Sequence, residues 1–132
     1  MMINLPSSKC NLTLLTLFLL VNSVFAVENM TFPEAYKIAE TTESNMSDDS
    51  KDTLTKSQGE FLVKSVISCI NDTGEKPKSF SLVVKFNAQG NVTETWKTKS
   101  SDFLDCFESE AKEKYKYVSG EKEFYSFIKV NL

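Results

Sequence analysis

FSLVVKFNAQGNVTETWKT, residues 80–98, decides the fold, because it reads as two strands around a tight turn. Phe80, Leu82, Val84 and Phe86 alternate with Ser81, Val83 and Lys85. A period of two is the mark of a strand with one face in a core. Asn87 to Asn91 is a turn with Gly90 placed for a positive φ, and Val92 to Thr98 returns as a second strand carrying Val92 and Trp96. The alternation puts Trp96 with Val92, in a core or half-buried position in preference to an exposed anchor for a partner.

Helices flank the hairpin. Upstream, Leu54, Phe61, Leu62, Val66, Cys69 and Ile70 recur at a helical period, with two candidate starts, near Thr53 or at Gln58 after the capping-box match Ser57 to Glu60. Asn71 to Gly74 and Pro77 end that helix. Downstream, Ser100 or Ser101 caps a helix with the stripe Phe103, Phe107, Ala111 and Tyr115; Asp102 and Asp105 stand in its first turns and Lys112 and Lys114 near its end, the charge order its dipole favours. Ser119-Gly120 breaks the chain, and Glu123 to Leu132 is a third strand.

The order helix, strand, strand, helix, strand predicts an α+β fold. A right-handed crossover sets the third strand against the free edge of the first, giving sheet order 2-1-3 with both helices on one face. On the last strand, Tyr125 and Phe127 fall opposite Phe124, Ile128 and Val130, so aromatics occupy both faces. Either the N-terminal helix covers that second face or it is an exposed patch for a partner. Trp96, Tyr125 and Phe127 are therefore the candidate partner-binding residues.

Further upstream, Thr31 to Glu34 is a capping box with Pro33 in the first turn, predicting a short helix over 32–41. Within the segment 27–53, residues 41–52, TTESNMSDDSKD, hold one apolar side chain, Met46, and read as a polar linker. Residues 1–26 have one Lys, an apolar run from Leu12 to Val21, and Val24-Phe25-Ala26 before a cut site, the pattern of a secretory signal. The run is short for a bilayer span, which needs about 20 residues. The expected product begins at Val27, has no stable membrane anchor, and is periplasmic or secreted. Cys10 leaves with the signal. Cys69 and Cys106 remain, an even number in an oxidising compartment, and the default is one disulfide between them.

Composition removes whole chemistries. The chain of 132 residues has no His and no Arg, and its net charge is −3. Imidazole is the usual base near neutral pH, and a basic surface is needed for nucleic acid, which is not expected as a partner. Asp102, Asp105, Glu108 and Glu110 read as a solvated helix face in preference to paired catalytic carboxylates. Asp48, Asp49 and Asp52 lack the glycine turn and final Glu of a calcium loop. No catalytic residue, metal site or cofactor is assigned. Asn29, Asn45, Asn71 and Asn91 each begin an Asn-x-Ser/Thr triplet, read as chance in a chain rich in these residues.

A helix ending in Ser68-Cys69-Ile70, the turn FNAQGNVTETW over 86–96, and a helix carrying Asp105-Cys106-Phe107 resemble the C-terminal domains of TonB-type energy transducers, most of all the AgmX/PglI type of gliding-motility proteins. The resemblance covers about residues 54–132. It implies a bacterial envelope protein that binds a protein or peptide partner, in TonB by adding a strand to a sheet edge. The leading expectation is an exported, non-catalytic binding module. The alternative is a secreted inhibitor or immunity-type protein that blocks an enzyme with its acidic surface.

Overall fold

The computed structural model describes residues 29–132, and the signal segment read over 1–26 lies outside the described residues. The elements are α1 (Phe32–Ser44), α2 (Asp48–Thr73), β1 (Phe80–Asn87), β2 (Val92–Lys97), α3 (Asp102–Lys114) and β3 (Glu123–Val130). The strands form one antiparallel sheet of order β2-β1-β3. This is the α+β topology expected from the hairpin and the crossover.

The hairpin turn works as its residues dictate. Gly90 has φ +85°, and a Cβ there would stand 2.9 Å from the carbonyl oxygen of Tyr117. Its own carbonyl accepts from the Tyr117 N–H at 3.1 Å, tying the turn to the chain leaving α3. Glycine is required twice over, for the backbone angle and for the close approach.

α2 and α3 cover one sheet face. Leu82, Val84 and Phe86 of β1 meet Phe61, Phe103, Phe107 and Tyr115 there, with Phe124 and Ile128 of β3. Phe61 stacks on Tyr115 at 4.6 Å, and Phe107 meets Phe80 edge-on at 5.0 Å. Burying one such ring is worth about 1.5–3 kcal/mol, so this aromatic layer dominates the stability of a small domain. The Cys69–Cys106 disulfide, with Cα atoms 5.7 Å apart, joins α2 to α3 above it.

The polar stretch over 41–52 is not a linker. α1 runs on through Ser44, Asn45 to Ser47 make a tight turn, and α2 begins at Asp48, well before either start read from the sequence. Local hydrogen bonds compensate for the missing apolar stripe: the Thr41 and Thr42 hydroxyls donate to the carbonyls of Lys37 and Ile38, and the Ser47 hydroxyl accepts from the Ser50 N–H. Asp48 and Asp49 then sit in the first turn of α2, where the helix dipole favours them.

β2 also departs from simple alternation. The register against β1 shifts between Lys85 and Phe86, so that Lys85 pairs with Glu94 but Phe86 with Val92. This bulge leaves Thr93 as the extra residue and reverses the alternation. Val92 therefore faces the α2–α3 core, and Trp96 faces the opposite side with Val83.

Candidate partner-binding surface

The two edges of the sheet are chemically unlike. At β3, the Phe127 N–H donates to Glu43 Oε1 at 3.0 Å, and the buried Ser126 hydroxyl donates to the same oxygen at 2.6 Å. Gln58 Nε2 donates to the Phe127 carbonyl at 2.8 Å. Glu43 comes from α1 and Gln58 from α2, so two helices supply the donor and acceptor that a fourth strand would bring. The middle of the β3 edge is closed by side chains.

Among the described residues, the β2 edge has no such cover. Because Phe127 turns its backbone groups away from β1, its partner Val83 must turn its own toward β2 and exchange both hydrogen bonds with Trp96. Alternation then points the backbone N–H and C=O of Thr95 and Lys97 outward. An isolated bridge from Asn91 to Lys116 occupies the start of this edge. Beyond it, among the described residues, no strand pairs with the outer side of β2.

The three aromatic candidates gather on the second sheet face, beneath α1. Trp96 stacks on Tyr125 at 5.7 Å, and Phe127 lies 4.9 Å from Tyr36 of α1. Trp96 Nε1 donates to the Met30 carbonyl at 3.0 Å. Ala35 and Ala39, both fully buried, press against Val83 between these rings. Their small side chains let the helix approach the sheet closely. Of the two alternatives for this face, the covering helix is the one the structure adopts, and Trp96, Tyr125 and Phe127 are half-buried inside the molecule.

Sequence reasoning missed Glu43 and Gln58, which reach partners more than 60 residues away and leave no local pattern. The role of Ala35 and Ala39 is within its reach, since with Phe32 and Ile38 they recur as a short apolar stripe along α1.

Charge along β2 is balanced. Lys85 pairs with Glu94 at 2.8 Å and Glu123 at 3.4 Å, and its ammonium is held above the usual lysine range chiefly by the hydrogen bond to Glu94. Lys97 pairs with Asp105 and, at 3.2 Å, with Glu108, and is raised in the same sense, first by Asp105. Glu108 also accepts from the Thr95 hydroxyl at 2.9 Å. Burial pushes the Tyr125 hydroxyl up. Of the four α3 carboxylates weighed as catalytic candidates, Asp105 and Glu108 serve Lys97, and Glu110 serves Lys114 at 3.0 Å.

Among the described residues no three His, Cys, Asp or Glu side chains gather as a metal site, and no helix is long and apolar enough to cross a membrane. Asn29, Asn45 and Asn71 are exposed, while Asn91 is half-buried and accepts from Lys116 Nζ. The disulfide is consistent with a protein outside the reducing cytoplasm. No family model, curated protein or solved structure matches the chain.

Proposed function

We propose that this protein is an exported, non-catalytic binding module, periplasmic or secreted, that takes an extended segment of a partner protein as an added strand along β2. The supporting observation is the asymmetry of the sheet: β3 is closed by Glu43 and Gln58, while the outward backbone of Thr95 and Lys97 has no strand beside it among the described residues. Main-chain hydrogen bonds supply affinity in this mode, and side chains flanking the edge, here the exposed Thr93 and Glu94, supply selectivity. The likeness to TonB-type C-terminal domains belongs to this reading as a proposal about ancestry.

The test is affinity capture from the native envelope or secretion fraction, comparing the unaltered protein with Thr95→Pro. Proline removes an N–H that the sheet itself does not use, together with the Thr95 hydroxyl bond to Glu108, so the variant, with its fold checked by circular dichroism and its disulfide intact, loses the captured partner. Equal capture by the folded variant overturns the proposal. Trp96 and Tyr125 are unsuitable probes, because replacing either disturbs the packing of α1.

A further inference from the structure

The 26 residues of α2 span about 39 Å and are apolar on more than the face turned to the core. Val63 and Ile67, one turn apart on the outer face, are 61% and 56% exposed. One turn before them stands Gly59, in mid-helix, where a Cβ would meet nothing within 4 Å. A glycine there costs about 1 kcal/mol relative to alanine, and nothing among the described residues requires it. Glu60 and Lys64 flank this stripe on one side. Although they stand four apart on the helix, neither forms an ion pair with a described residue.

We propose that these features form an interface between two copies of this chain, with α2 packed antiparallel on α2 about a two-fold axis at Val63. In that register Val63 meets its own symmetry mate and Gly59 of each copy lies opposite Ile67 of the other. A large side chain thus enters the gap left by a missing one. Glu60 of each copy falls beside Lys64 of the other, on the same flank, giving two symmetric ion pairs that fix the antiparallel orientation. The stem of Lys56 lies over the half-buried Ile70 of the second copy. A parallel pairing would oppose like residues and bring Glu60 to Glu60, and a partner without this charge order would forfeit both ion pairs. The matched stretch, residues 56–70, is about 21 Å long, so the contact makes a weak, concentration-dependent dimer.

This inference is independent of the β2 edge, and its test separates the two. Sedimentation equilibrium of the oxidised protein over a concentration series is expected to show a monomer–dimer equilibrium. Ile67→Glu lowers the association constant tenfold or more. Gly59→Leu does so too while raising the melting temperature, because its side chain enters open space in the monomer and obstructs only the second copy. Lys64→Glu weakens association, and adding Glu60→Lys to it restores much of the loss, as a swapped ion pair should. Thr95→Pro leaves association unchanged. A protein that remains monomeric throughout the series overturns the proposal, as does a dimer indifferent to Gly59→Leu.

Discussion

The carboxylate of Glu43, near the end of α1, lies 3.0 Å from the backbone nitrogen of Phe127, 84 residues further along the chain, and closes the outer edge of β3. One oxygen serves two donors, since the Ser126 hydroxyl also points to it. The contact couples the seating of α1 on the sheet to protection of the strand beneath it.

Glu43→Ala leaves the Phe127 N–H and the buried Ser126 hydroxyl without their acceptor. It is expected to cost about 1–3 kcal/mol in urea unfolding, with Glu43→Gln retaining part of that, because an amide oxygen still accepts. Combining Glu43→Ala with Gln58→Ala exposes the β3 edge and raises aggregation in light scattering at high protein concentration.

Tyr115 presents the opposite case. Its ring is packed between Phe61 and Phe86, while its hydroxyl, buried beside Gln58 and Ser126, has no partner at hydrogen-bonding geometry among the described residues. Tyr115→Phe is expected to stabilise the fold by up to about 1 kcal/mol. Burial also holds that hydroxyl well above the ordinary value of 10. The folded state keeps a proton that the unfolded chain releases, so its contribution is complete below pH 10 and declines as pH rises beyond it. The phenylalanine variant flattens this alkaline loss.

Removing the disulfide by replacing Cys69 and Cys106 with serine is expected to lower stability by about 4 kcal/mol, from the chain entropy of a 37-residue separation. Intact mass before and after reduction of the unaltered protein checks the bond itself, with a gain of two hydrogens.

Glu34 gives α1 a pH dependence. Its carboxylate accepts from the Thr31 N–H at 2.7 Å and the Thr31 hydroxyl at 2.8 Å, and the backbone bond foremost holds it below the ordinary value of 4.5. Its stabilising effect is present above that value and is lost as pH falls through the lowered one. Trp96 lies under α1, so its fluorescence reports the change; acid titration of Glu34→Gln loses this component.

Much of the architecture is legible in residues whose spacing reports their surroundings. The alternation over Phe80–Phe86, the stripe from Phe103 to Tyr115 and the paired cysteines all express burial against one neighbour, which is why sheet order and helix placement follow from them. Thr42 to Ser44 and Asp48 to Asp52 are helical without such a stripe, held by short-range caps and by Glu43, and a composition reading sees only polarity. Alternation places Trp96 on the side of Val92 because it assumes an unbroken ladder, and one extra residue at Thr93 defeats that assumption. The aromatics Tyr125 and Phe127 signalled that the second sheet face is special. The choice between the N-terminal helix and an exposed patch depends on where α1 folds back, which local pattern does not encode.

The sulfur bridge from Cys69 to Cys106 makes a covalent ring that contains the whole β1–β2 hairpin, whereas α1 and β3 lie outside it. Partial opening of the molecule therefore has a direction. The tails can peel from the sheet, α1 from one side and β3 from its border, while the ring retains the hairpin and the paired ends of α2 and α3. Such a ring is a permanent template on which the last strand can re-form without any search for its place.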